Sequence, residues 1–201
     1  NLLQAARDAG VARFLNADTQ LDASVNPYAR SKKVFAGYLP DFAGDMAIVN
    51  MRFGNIYGPG ESARGFLSWL LGEFERGVPT IDFTPGEQQR DFVHAADASG
   101  AMLAILDHAV AVSAAADVQS YDIGSGRLQS LRSFVELAQA VYRQEAGAQG
   151  AALNFGGLPY REGEIMLPDF DTTALFDLGW RPRFTLEEGL RDTIKSRRSA
   201  G

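Results

Sequence analysis

Apolar positions recur at two spacings along this chain, and the alternation between them sets the first expectations. Residues 1–9 (NLLQAARDA) place Leu2, Leu3, Ala5, Ala6 and Ala9 on one broad stripe, the spacing of a helix, and Gly10 reads as its stop. VARFL (11–15) is a short apolar run read as a strand, and the polar stretch from Asn16 to Asn26 is read as loop. Pro27 suits the first turn of a helix expected to run to about Tyr38, with Pro40 ending it. AIVNMRF (47–53) is β-branched and apolar and predicts a buried strand, whereas NIYGPGE (55–61) reads as a turn-rich loop. ARGFLSWLLGEFER (63–76) predicts a helix with Phe66, Leu67, Leu70, Leu71 and Phe74 inward. Strands are expected at 80–83, 91–94, 121–123 and 151–155, and helices at 96–108, 131–143, 171–178 and 186–197. The Ala/Gly-rich stretches 109–117 and 146–152 predict mobile loops.

Strands alternating with helices predict an α/β fold on a mainly parallel sheet. Ligands bind such sheets beyond the carboxyl ends of the strands. Thr19, Asn55 and the Gly124-Ser125-Gly126 turn all follow expected strands and are placed there.

Composition narrows the chemistry. The 201 residues suffice for one domain or two small ones, and 46% hydrophobic residues allow a real core. With 19 basic against 25 acidic residues the net charge is −6, which argues against nucleic acid as partner but leaves room for a few placed arginines on a phosphate. No cysteine is present, so disulfides, thiolate catalysis and zinc–thiolate sites are excluded, and two histidines do not make a His-rich metal site. No apolar run approaches a membrane span and no signal peptide is visible, so a cytoplasmic setting is expected. The chain opens on Asn1 already in helical register, as though a segment preceded it.

The sharpest local signal is Asn-Pro-Tyr-Ala-Arg-Ser-Lys-Lys at 26–33. Tyr28 and Lys32 are four apart and share one face of the expected helix. A phenol ionises near pH 10 and exchanges protons poorly at neutral pH, and a neighbouring ammonium favours its ionised form. Such a pair suits proton exchange with a hydroxyl or carbonyl during hydride transfer. The same spacing also serves simply to cover a helix surface.

Six stretches, in order, decide between these readings. NLLQAARDAGVARFL, NPYARSKK, MRFGNIYGPGE, QQRDFVHAADASGAML, YDIGSGRLQSL and LFDLGWRPRFTLEEGL resemble the extended short-chain dehydrogenase/reductases, the NAD(P)-dependent epimerases, dehydratases and reductases of nucleotide sugars. The resemblance covers essentially the whole chain. It implies the C-terminal part of a Rossmann-type parallel sheet over 1–60, returning at about 90–125, with a small α/β nucleotide-sugar domain from 61–89 and 127–201. It implies Tyr28 as catalytic acid/base, Lys32 as the residue that binds the nicotinamide ribose and tunes the tyrosine, and Thr19 as the hydroxyl on the reacting oxygen. Phe53 matches a position beside the nicotinamide, and Asn55 one that contacts the sugar or diphosphate. Arg90, Arg161 and Glu164 match residues that hold the diphosphate and nucleoside ribose. Each has a plainer alternative: a loop cap for Thr19, a core side chain for Phe53, a turn residue for Asn55, an ion pair with Asp91 for Arg90. His94 reads as a structural group. No metal is implied.

The family's Gly-x-x-Gly-x-x-Gly fingerprint is absent: Gly54, Gly58 and Gly60 lack its spacing, so the first half of the sheet is expected upstream of Asn1. Only a short loop separates Thr19 from Tyr28, and Gln20 and Leu21 supply no carboxylate for dehydration. This resembles the abequose- and paratose-synthase type, which reduces a 4-keto deoxysugar. The implied activity is hydride transfer at C4 of a nucleotide-linked hexose, reduction before 4-epimerisation, with a fragment that lacks turnover as the non-enzymatic alternative. NAD or NADP is the implied cofactor, and a nucleotide sugar the partner. Homodimers of the family form through the tyrosine helix and the one before it, where Val34, Phe35 and Tyr38 stand either for that contact or for core.

Overall fold

The computed structural model describes residues 2–111 and 117–199, so residues 112–116 of the expected 109–117 loop lie outside the described residues. In chain order the elements begin α1 (Leu2–Asp8), β1 (Arg13–Thr19), α2 (Pro27–Gly37), a 3-10 turn (Leu39–Phe42), β2 (Ala47–Phe53) and β3 (Asn55–Tyr57). There follow α3 (Phe66–Glu75), β4 (Thr80–Phe83), β5 (Gln89–His94), α4 (Ala95–Ala111), β6 (Gln119–Ile123) and β7 (Leu128–Ser130). The chain ends with α5 (Leu131–Ala146), β8 (Ala152–Phe155), α6 (Thr173–Asp177) and α7 (Leu186–Ser199). These elements gather into two compact units, the first made of 1–54, 98–126 and 169–181, the second of 55–97, 127–168 and 182–201.

The first unit is built on a fully parallel sheet ordered β1-β2-β6. Its register sets Thr19 opposite Phe53 and Phe53 opposite Ile123, so the three strands end flush. The Gln20 amide donates to Phe53 O and the Gly54 amide to Ile123 O, which carries the pairing to the last residue. Leu3, Leu39, Phe42, Met46 and Ile48 form a core there, joined by Phe14 and Phe35. Helix α2 starts where Pro27 supplies the first turn and the Asn26 side chain accepts from the Ala29 amide at 2.8 Å.

In the second unit β3 pairs parallel with β5, β5 antiparallel with β7, and β4 parallel with β8. Its core joins Leu67, Leu70, Leu71 and Phe74 of α3 to Phe92, Phe134, Val135 and Leu190, with the Phe92 and Phe134 rings stacked at 3.8 Å. Helix α5 is closed at both ends, by Ser130 accepting from the Ser133 amide and by Gly147 at φ 66°.

The α/β class and its parallel pairing agree with expectation, and several boundaries are corrected. Asn16–Thr19, read as loop, extends β1 by four residues, because the polar side chains of Asn16 and Asp18 are buried and satisfied by Asn50 and Lys33. Asn55–Tyr57, also read as loop, is a strand whose partner is far away in sequence, at Phe92–His94. β7 was outside every predicted element for the same reason. Helix α3 begins at Phe66 rather than 63, and α6 is confined to Thr173–Asp177.

Candidate active site

Four of the eight predicted site residues, Thr19, Tyr28, Lys32 and Phe53, belong to the first unit, and Asn55, Arg90, Arg161 and Glu164 to the second.

Thr19 closes β1 and is buried, its hydroxyl oxygen accepting from the Leu21 amide at 3.2 Å. That bond uses a lone pair and leaves the hydroxyl proton available to an acceptor. Phe53 is its register partner at the end of β2 and is half-buried. Tyr28 lies in the first turn of α2 and is 56% exposed. The Lys32 ammonium sits 5.8 Å from the Tyr28 ring centre and donates to Ala17 O at 2.8 Å. One helical turn thus holds an exposed phenol and a fixed cation, and the flush strand ends hold a hydroxyl and an aromatic ring.

The second cluster is an arginine–carboxylate–arginine group. Glu164 is 2.5 Å from Arg90 Nη2 and 2.9 Å from Arg161 Nε. Arg90 and Glu164 are almost fully buried, whereas the Arg161 side chain is 53% exposed. Arg90 also donates to Gln89 O at 2.6 Å and to Ile165 O at 2.7 Å, and the Gln89 amide donates to Met166 O. These bonds strap the 164–166 segment along β5. Burial lowers the Arg90 pKa even though Glu164 opposes the shift. Two guanidinium groups against one carboxylate leave a net positive charge, which suits an anion with planar oxygen pairs. The expected alternative pairing of Arg90 with Asp91 is not what forms: Asp91 is buried and accepts from the Arg127 amide at 3.1 Å. Asn55 is half-buried at the start of β3, opposite Phe92.

His94, read from its sequence context as a structural group, is buried. It is 4% exposed, its Nδ1 accepts from the Ala96 amide at 3.4 Å, and its ring packs 4.1 Å from that of Phe184. Its Nε2 lies 3.3 Å from Asp192 Oδ2 without the alignment of a hydrogen bond. Beside it, burial and the charge of Asp97 push the Tyr57 phenol well up, so that group stays neutral.

Sequence reasoning missed a buried polar network beneath Thr19. Asn16 Nδ2 donates to Asn50 Oδ1 at 2.7 Å, and Asn50 Nδ2 to Asp18 Oδ2 at 3.2 Å. Lys33 Nζ reaches Asp18 Oδ2 at 3.0 Å and Thr19 O at 2.5 Å. The available signal was Asn50, one polar residue in the middle of the apolar run AIVNMRF. Among the described residues no group of three or more acidic or histidine side chains is placed to hold a metal, and no helix is long and apolar enough to cross a membrane.

Comparison with known proteins gives this arrangement a context. Over 175 residues the chain is 29% identical to the CDP-abequose synthase of Salmonella typhimurium (strain LT2), covering 85% of this chain and 56% of that protein. It is 26% identical to a putative UDP-glucose 4-epimerase of Methanocaldococcus jannaschii, covering 85% of this chain and 52% of that one. The chain therefore spans about half the length of the curated relatives it matches. The crystal structure of Thermus thermophilus UDP-glucose 4-epimerase in complex with NAD matches with a TM-score of 0.76 over 100% of this chain and 68% of that one, at 24% identity, which shows a common Rossmann-type fold. The model of the NAD dependent epimerase/dehydratase family matches residues 1–124, more than half of the sequence, and the chain belongs to that family.

Proposed function

We propose that this chain is the part of an NAD(P)-dependent nucleotide-sugar enzyme that carries its acid/base residues and nucleotide grip, and that the reaction is reduction of a 4-keto deoxyhexose. The observation that carries it is Tyr28, exposed on α2 with the Lys32 ammonium 5.8 Å from its ring, in a chain where Gln20 and Leu21, directly after Thr19, supply no dehydratase carboxylate. The likeness to a CDP-abequose synthase supports reduction.

The residues present fit the nicotinamide end of the cofactor. Lys32 spends one proton on Ala17 O, and an ammonium has three, so two remain for ribose hydroxyls. Phe53 offers an aromatic face at the strand ends. When bound, a reduced nicotinamide would supply the hydride for C4. Tyr28 gives its hydroxyl proton to the ketone oxygen as the C=O π bond breaks, so the product is an alcohol. Thr19 donates to the same oxygen, and Lys32 places positive charge near the developing alkoxide. Arg90, Arg161 and Glu164 bind the diphosphate and nucleoside ribose, and Asn55 the sugar, so binding energy from the unreactive half of the ligand orients C4.

The likeness to a putative UDP-glucose 4-epimerase supports a second reading, in which the sugar is oxidised and re-reduced at C4 with no net use of cofactor. The intact protein incubated with a CDP-linked 4-keto deoxyhexose and NADPH decides. Stoichiometric NADPH loss is the expected result; interconverted C4 isomers without it establish the epimerase, and no turnover with no NAD(P)H binding leaves a non-catalytic remnant. Val34 on α2 and Tyr38 at its C-cap, 56% and 53% exposed, support a homodimer through that helix, while Phe35 packs into the core.

A further inference from the structure

The two lysines that close the 26–33 motif do different work. Lys32 points its ammonium to Ala17 O, and Lys33 points its own to Thr19 O and to the Asp18 carboxylate. Carbonyls two residues apart lie on the same side of an extended strand, so neighbouring residues of one helix grip alternate carbonyls of β1. Lys33 alone adds a carboxylate partner.

That partner is unusual. The Asp18 side chain is 2% exposed and its neighbours in the chain are Ala17 and Thr19. A carboxylate is costly to bury unless each oxygen is paired. Here Oδ1 accepts from the Thr19 amide at 2.7 Å, and Oδ2 accepts from Lys33 Nζ at 3.0 Å and Asn50 Nδ2 at 3.2 Å. Asn50 is held in turn by Asn16. Thr19 is thereby fixed at both ends of its backbone: its amide by Asp18, its carbonyl by Lys33. The two Lys33 contacts, to Asp18 Oδ2 and to Thr19 O, tie the second turn of α2, whose first turn carries Tyr28, to the end of β1.

We propose that Lys33 and Asp18 are a positioning pair for the reaction: they hold the Thr19 main chain and the tyrosine helix in one fixed arrangement, so that the Thr19 hydroxyl and the Tyr28 phenol meet one substrate oxygen. Neither side chain touches substrate; they act through Thr19 and α2. The proposal rests on the acid/base reading above for its consequence, though not for its geometry. Catalytic groups misplaced by an ångström lose rate far out of proportion to any loss of binding.

The test uses the intact protein as Lys33→Met, Lys33→Arg and Asp18→Asn, with a CDP-linked 4-keto deoxyhexose and NADPH as probes. Three readouts are taken: kcat and KM, melting temperature, and hydrogen exchange of peptides spanning 16–21. For Lys33→Met we expect kcat at least tenfold lower, nucleotide-sugar KM within twofold, and exchange at Thr19 at least tenfold faster. Lys33→Arg should restore rate and protection to within threefold of the parent. Asp18→Asn should repeat the loss, and supplies the same reading should Lys33→Met fail to fold. Unchanged Thr19 exchange, an unchanged kcat, or a lost kcat that arginine does not restore would each overturn the pairing as a positioning device. A parent without turnover sinks the proposed function instead, and the exchange measurement still decides the geometry by itself.

Discussion

The Lys32 ammonium sits one turn from Tyr28, 5.8 Å from the centre of its ring, anchored meanwhile on Ala17 O. The strand therefore fixes where the cation stands, and the helix fixes where the phenol stands relative to it. Tyr28→Phe deletes one oxygen from an exposed side chain, so its folding cost is within about 0.5 kcal/mol. Loss of a positioned acid costs roughly 10²–10⁴ in rate. Steady-state kinetics of the intact variant should show that fall in kcat with nucleotide-sugar KM little changed; turnover at the parent rate would remove the tyrosine from the mechanism.

Arg161 and Glu164 should separate binding from folding. Arg161 is half-exposed, so Arg161→Ala should leave stability nearly intact. It should weaken CDP binding by about tenfold or more, the worth of one charge-assisted hydrogen bond to phosphate. Glu164→Ala strands the Arg90 guanidinium, which is 11% exposed, without its carboxylate. A loss of about 2–4 kcal/mol is expected. Calorimetric titration with CDP and urea melts of both variants check the split, and equal effects on both quantities would contradict it.

His94 should make stability depend on pH. Burial lowers its pKa below the ordinary value, with Asp192 and Asp97 pulling the other way. In the interval between the lowered value and about 6.5 the unfolded chain binds a proton that the folded chain does not. This contribution is complete above about pH 6.5, declines as pH falls, and stops declining below the folded pKa. The urea midpoint should drop between pH 7 and pH 5, and His94→Gln should flatten that drop. A variant with the parental slope would assign the dependence to other groups.

Asp97 is 2% exposed and accepts from the Arg183 amide at 3.1 Å and the Phe184 amide at 3.0 Å. It holds the segment leading into α7 against the start of α4. Asp97→Ala leaves two amides without acceptors and should cost about 2–4 kcal/mol. Asp97→Asn, which keeps one acceptor oxygen, should cost less. Protease sensitivity at 182–186, rising with each loss, would report the released segment.

How far the residues themselves disclosed this arrangement depends on the range of the contacts. Helices α3 and α5 were legible because their apolar positions repeat within a few residues, and α2 because Pro27 and Pro40 bracket it. Strands β3 and β7 were not: each has three residues, and their partners on β5 come from elsewhere in the sequence. Tyr28 and Lys32 were legible because i, i+4 spacing is local. The link from Lys33 to Asp18 was hidden, since Asn16 and Asp18 looked like loop composition until their bonds to Asn50 and Lys33 showed them buried in β1. The Arg90–Glu164 bond joins residues 74 apart in the chain, and only the matching stretches of a family pointed to both.

The division of the chain into its two units has a practical corollary. The polypeptide passes from one to the other after Gly54, Asp97, Gly126, Pro168 and Arg181. No single cut, and no single inserted cassette, could exchange one unit for that of a cousin enzyme. New specificity in such a lineage has to arrive by substitution in place. A laboratory graft between relatives would have to join the parental sequences at all five crossings at once.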